Sequence, residues 1–175
     1  IPCGGGAGMV AAHDAFREMF AAGVIDRMPR LVGVQLQACD PTARAFHEGR
    51  DAVTPVDKKP SLSDAIMNNN PYWGRYCLQA VRETGGTMIS VSDADFIRTI
   101  RELGREEGLF TEPAGSVSVA ALRYLVKVPG FKNPGLTVCN LTGHGLNVPQ
   151  VATDESETPG VIPPTVEAVE AFLQS

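Results

Sequence analysis

Short apolar runs of strand type alternate along this chain with amphipathic helical segments, and that alternation constrains the fold more than any other feature. Leu31-Val32-Gly33-Val34 is followed by a turn at Asp40-Pro41 and a helix over 42–48 that Gly49 stops. Thr87-Met88-Ile89-Ser90-Val91 leads directly into Ser92, which can cap a helix whose Phe96, Ile97, Ile100 and Leu103 form an apolar stripe. Asp93 and Asp95 suit its first turn, where the helix dipole favours negative charge. Further helices are expected over 9–22, 72–84 and 116–125, the first with Val10, Phe16, Met19 and Phe20 on its apolar face and Gly23 past its end. Leu109-Phe110 begins a short strand, and the apolar run 136–141 reads as a buried strand between turns at Asn133-Pro134 and Gly143. A polar, proline-rich stretch over 153–164 precedes a short surface helix over 166–173.

Parallel strands need crossover connections, and helices of this length supply them. The expected fold is therefore α/β, a three-layer αβα arrangement with a mostly parallel sheet covered on both faces. At 175 residues the chain is long enough for one domain with a sizeable core. Its 15 Lys+Arg against 20 Asp+Glu leave a formal charge of −5 and no basic stripe for a nucleic-acid backbone. No apolar run approaches the about 20 residues that span a bilayer, and no basic amphipathic stretch suits a membrane surface. Cys3, Cys39, Cys77 and Cys139 lie far apart with no C-x-x-C pair, which points to buried thiols in a reducing, cytoplasmic setting rather than to a zinc site. The chain opens at Ile1 without Met or a signal-like segment and passes at once into a glycine cluster, so it is expected to be the C-terminal part of a longer polypeptide.

In a parallel sheet, ligands sit outside the carboxyl ends of the strands, so the loops there are where chemistry is sought. Gly4-Gly5-Gly6-Ala7-Gly8 opens a helix and can present several backbone N–H groups to one anion, a phosphate cradle. The alternatives are a tight turn needing positive φ, or a G-x-G-x-x-A dinucleotide fingerprint over 6–11. The fingerprint requires an acidic residue at the end of the next strand, where Gln35, Leu36 and Gln37 stand instead, and Asp40 comes late for a ribose. Phe110-Thr111-Glu112-Pro113-Ala114-Gly115-Ser116 either sets Glu112 and Ser116 toward a cleft or simply starts a helix with Ser116 as its cap. Thr142-Gly143-His144-Gly145 holds a hydroxyl and an imidazole on a glycine-flanked turn, with His144 either bonded to the backbone or catalytic. His13 and His47 fall within helices and default to structural roles, Trp73 and the other aromatics default to core, and the histidines lack metal-ligand spacing.

Taken in order, these loops resemble the second half of threonine synthase, a pyridoxal-phosphate enzyme of fold type II. The resemblance covers residues 2–149 and rests on the glycine loop, the stretch 25–35, Asn70-Pro71, Trp73, Glu107-Gly108-Leu109-Phe110, Glu112-Pro113-Ala114 and Leu141-Thr142-Gly143-His144-Gly145-Leu146. It implies that residues 1–150 are the C-terminal part of the cofactor-binding α/β domain and that 151–175 form a tail. It implies further that the N–H groups of Gly4, Gly5, Gly6, Ala7 and Gly8 hold the phosphate of pyridoxal 5'-phosphate while the Thr142 hydroxyl bonds the pyridine nitrogen. Glu112, Ser116 and His144 would line the site, the substrate would be an amino acid, and a homodimer is in keeping with the family. The implied reaction converts O-phospho-L-homoserine and water to L-threonine and phosphate. Two departures stand out: Gly5 and Gly8 occupy places where the family usually has asparagines, and Asn147 and Val148 replace its usual lysine and aspartate. Lys58, Lys59, Lys127 and Lys132 lack the context of the Schiff-base lysine, which the resemblance assigns to an N-terminal half outside this chain. Other fold-type-II enzymes such as threonine dehydratases, a nicotinamide-binding module and a catalytically silent binding protein are the rival readings.

Overall fold

The structure, a computed structural model, describes residues 1–132, 135–153 and 161–174. β1 (Val32–Leu36) and β2 (Thr87–Val91) pair in parallel, Val32 opposite Thr87 through Leu36 opposite Val91. Residues 1–3 add to the other edge of β1: Val34 N–H donates to Ile1 O at 2.9 Å, Cys3 N–H donates to Val34 O at 2.8 Å, and Pro2 bridges Val34 in parallel. This extension was not foreseen in the sequence, because three residues are too few to show alternation.

Alternation along the strands sends side chains to two faces. Val34, Leu36, Ile89 and Val91 pack with Phe96 and Ile100 of α4 (Asp93–Glu102), Val117 and Ala120 of α5 (Pro113–Ala120) and Leu125 of α6 (Leu122–Leu125). Met88 points the other way, into a cluster with Met9 of α1 (Ala7–Ala21), Ala43 of α2 (Pro41–His47), and Cys77, Ala80 and Val81 of α3 (Gly74–Glu83). Helices thus cover both faces of a parallel sheet, the α/β arrangement that the alternation implies. Gly33 lets the second layer close, since a methyl group there would fall 2.4 Å from Met88 Sδ.

α4 begins at Ser92 as its sequence suggests: the Ser92 hydroxyl accepts from Asp95 N–H, and Phe96, Ile100 and Leu103 are buried. A π turn over Leu103–Glu107 ends it, and Gly108 follows in the left-handed region at φ 68°. The surface helix α7 (Val166–Leu173) is capped by Thr165 and buries none of its residues. Among the described residues no helix is long and apolar enough to cross a membrane, and no cluster of metal-ligating side chains occurs.

Several expectations need correction. α1 turns Met9 and His13 inward, one helical turn apart, while Met19 and Phe20 are exposed. The helix rolls this way to pack on α3, where His13 Nε2 lies 3.1 Å from Glu83 Oε2. Leu109-Phe110 forms no strand and is followed only by a single antiparallel bridge between Thr111 and His144. The run 136–141 is likewise no buried strand: Leu136 is 97% and Val138 77% exposed, because no described strand pairs with it. Ser116 is not a cap, since Glu112 precedes α5 and Ser116 sits inside it. Trp73 is not core. With Tyr72 and Tyr76 it stands exposed at the start of α3, whose buried face is filled by Gly74, Cys77, Leu78 and Val81. The expected turn at Asn133-Pro134 and much of the proline-rich stretch lie outside the described residues.

Candidate functional site

The glycine loop joins the edge segment 1–3 to α1, a strand–loop–helix order that sets the loop at the carboxyl end of a parallel strand. Gly6 takes φ 91° and caps α1, its carbonyl accepting from Met9 and Val10. Among the described residues nothing accepts from the N–H groups of Gly4, Gly5, Gly6, Ala7 or Gly8. Successive free amides at a helix start are an anion-binding arrangement, and a phosphate monoester satisfies them where a carboxylate has fewer oxygens to offer. The loop is braced from behind, since Trp73 N–H donates to Gly5 O at 3.1 Å. It is also tight there. A Cβ on Gly6 would meet Trp73 Cβ at 3.2 Å and Cys77 Cβ at 3.3 Å, whereas one on Gly8 would meet nothing within 4 Å. The residues present therefore fit the phosphate end of a pyridoxal-phosphate group.

The second group of candidate residues is drawn together around Glu112. Glu112 N–H donates to Gly143 O at 3.1 Å, Gly145 N–H donates to Phe110 O at 3.0 Å, and Asn147 Nδ2 donates to Glu112 Oε2 at 2.9 Å. Glu112 and Asn147 thus clamp the turn that carries Thr142. Thr142 is exposed, and no described residue bonds its hydroxyl. His144 Nδ1 accepts from Leu146 N–H at 3.2 Å, capping the short 3-10 turn Gly145–Asn147, and its ring meets Phe110 edge-on at 5.5 Å. Of its two readings, the backbone-bonded one describes its geometry. Ser116 is fully buried with its hydroxyl donating to Pro113 O at 2.8 Å, so it lines no cleft. The segment leading to Thr142 lies against α5 through Ser118 Oγ, which donates to Asn140 O at 2.8 Å.

Two residues beside the loop escaped the sequence reading. Gln35 is fully buried, its Nε2 donating to Cys3 O at 3.1 Å and its Oε1 accepting from Ala43 N–H at 2.9 Å, so it ties the loop's strand to α2. Its polarity in an apolar run was the available signal. Asn68 accepts from Asn70 N–H through Oδ1, and its Nδ2 lies 3.3 Å from where a Gly5 Cβ would be. Asp40 is engaged by Ser90 Oγ at 2.9 Å and by Arg44 Nε at 2.7 Å, and thus holds structure together.

A parallel α/β sheet with a free-amide glycine loop opening its first helix is the architecture of a pyridoxal-phosphate enzyme of fold type II, and comparison bears this out. The chain belongs to the pyridoxal-phosphate dependent enzyme family, whose model matches residues 1–143. It is related to the threonine synthases: it is 34% identical over 169 residues to "Threonine synthase" of Methanosarcina acetivorans, covering 97% of this chain and 42% of that protein. Among solved structures it superposes on threonine synthase from Escherichia coli with a TM-score of 0.63 at 22% identity, over 97% of this chain and 37% of that one. Maize serine racemase gives 0.64 at 13% identity, over 88% and 46%. The chain spans less than half the length of these relatives.

Proposed function

We propose that this chain is the cofactor-phosphate-binding portion of a threonine synthase, acting on O-phospho-L-homoserine and water to give L-threonine and phosphate. The observation that carries the reading is the row of unpartnered N–H groups from Gly4 to Gly8 at the start of α1, in a chain of this family. The kinship to threonine synthases along almost the whole chain supports the substrate.

When bound, pyridoxal phosphate supplies an electron sink for carbanions next to the substrate amino group. The chain's own residues then have separate tasks. Gly4, Gly5, Gly6, Ala7 and Gly8 hold the dianionic phosphate by N–H donation, helped by the positive end of α1. Thr142 donates its hydroxyl to the ring nitrogen, and a neutral hydroxyl leaves that nitrogen unprotonated and without a full charge. Glu112 and Asn147 keep Thr142 in place, and the residues that bond the substrate carboxylate and carry the cofactor-linking lysine belong to the N-terminal half of the protein. Residues 1–150 complete the cofactor domain with that half, residues 151–175 form a tail, and the assembly is a homodimer in the cytoplasm, in keeping with the free thiols of this chain.

A second reading is favoured by one observation: Asn147, in the place of the family's usual lysine, is occupied with Glu112. This reading makes the protein a fold-type-II enzyme for a different amino-acid substrate. The test is the full-length protein given O-phosphohomoserine or threonine, with phosphate and ammonia release measured in parallel. Phosphate release with threonine formation is the expected result. Ammonia release from threonine alone would replace the synthase by a dehydratase.

A further inference from the structure

Cys3 and Cys77 lie far apart in sequence, yet their sulfurs are 3.5 Å apart in the core. Cys3 is 2% exposed and Cys77 is not exposed at all. Both touch the glycine loop. Cys3 is the residue before Gly4, with its N–H on Val34 O and its carbonyl on Gln35 Nε2, and Cys77 Cβ sits 3.3 Å from where a Gly6 Cβ would be. No task in the phosphate cradle needs a thiol, and none needs two in contact.

We propose that Cys3 and Cys77 are a redox-responsive pair, and that their closure to a disulfide deforms the glycine loop and loosens its grip on phosphate. The sulfurs must approach from 3.5 Å to about 2.0 Å, and the displaced atoms belong to the root of the loop and to the helix that braces it. A rigid cradle amplifies such a shift, because each amide must point at one ligand. The oxidant that suits two buried sulfurs is hydrogen peroxide. The Cys3 sulfur attacks one peroxide oxygen, the O–O bond breaks, and the sulfur becomes a sulfenic acid as water leaves. The Cys77 sulfur then attacks the Cys3 sulfur, loses its proton and expels the sulfenic oxygen as a second water. Overall two thiols lose two electrons and two protons to one peroxide. Either thiol can donate to the other, and where Cys77 donates it favours the Cys3 thiolate against the opposing effect of burial, which suits Cys3 to the first attack.

The disulfide itself is independent of the proposed function, whereas its consequence rests on the loop being the phosphate site. Full-length protein is treated with hydrogen peroxide, digested without reduction and searched for a linked peptide pair containing Cys3 and Cys77. Its affinity for pyridoxal 5'-phosphate is titrated before and after treatment and again after dithiothreitol. The expected result is that linked pair, an affinity about tenfold weaker when oxidised, the cost of misaligning one charge-assisted bond, and recovery on reduction. Cys77→Ala should bind the cofactor equally with and without peroxide, and because the peptide mapping uses the unaltered protein, it stands even if that variant folds poorly. Absence of the linked pair, or the linked pair with unchanged affinity, overturns the proposal. Failure of the reduced protein to bind pyridoxal 5'-phosphate at all would instead overturn the phosphate reading, with the peptide mapping still deciding the disulfide.

Discussion

The Glu112 carboxylate packs directly on the α-carbon of Gly143, so that a methyl group there would fall 2.1 Å from Glu112 Cδ. The turn that presents Thr142 is therefore held by a carboxylate that only glycine can accommodate, with Asn147 Nδ2 donating to the same carboxylate. Gly143→Ala should displace either the turn or Glu112 and cost about 2 kcal/mol as an overpacked site. Glu112→Ala should remove most of that added cost. Chemical denaturation of both single variants and the double variant measures the coupling, and purely additive effects would deny the contact.

Gly6 and Gly8 should respond differently to the same change. Gly6→Ala places a side chain at φ 91° against Trp73 and Cys77, costing roughly 1–2 kcal/mol in backbone strain and reducing pyridoxal-phosphate affinity. Gly8→Ala meets nothing within 4 Å, so its stability should be near that of the parent. Equal losses of stability in the two variants, read from urea denaturation, would contradict the loop geometry.

Thr142→Val keeps the shape of the side chain and removes its hydroxyl. Because no described residue uses that hydroxyl, folding stability should hardly change. Cofactor affinity should fall roughly fivefold, the worth of one neutral hydrogen bond, and the absorbance band of the bound cofactor should shift. An unaltered spectrum and affinity would remove Thr142 from the site.

Asp95 gives the fold a defined response to acid. Burial alone would raise its pKa, but the Ser92 and Tyr124 hydroxyls, the Ser92 backbone and the Arg98 guanidinium outweigh it, so the carboxyl is held below its ordinary 3.8. A depressed carboxyl pKa contributes stability that is complete above the unfolded value and fades as pH falls through the folded one. The stability advantage of the parent over Asp95→Asn should thus be constant at neutral pH and shrink below about pH 3.8. Thermal melts at stepped pH measure this, and a gap unchanged down to strong acid would refute it.

Local signals carried much of the fold. β2 occupies the expected five-residue run, α4 starts at its Ser92 cap, and Gly23, Gly49 and Gly85 follow their helices in the left-handed region. These features depend on a few adjacent residues, so the sequence displays them. Met19 and Phe20 looked inward because helical periodicity locates a stripe but not the angle at which the helix rolls on its neighbour. The apolar run 136–141 has strand composition, yet strand structure needs a pairing partner and composition does not supply one.

The sequence by itself determined the alternation of strand and helix, the glycine loop opening the first helix, and the motif order that points to the family. Tertiary structure alone decided that Glu112 would brace Gly143, that Ser116 would be buried, and that Gln35 would tie Cys3 to Ala43. It also brought Cys3 and Cys77 into contact beneath the loop. The physical reason is range: caps, turns and periodicity act over a few residues, whereas side chains that meet across layers are matched only when the sheet has set the distance between its two helical coverings.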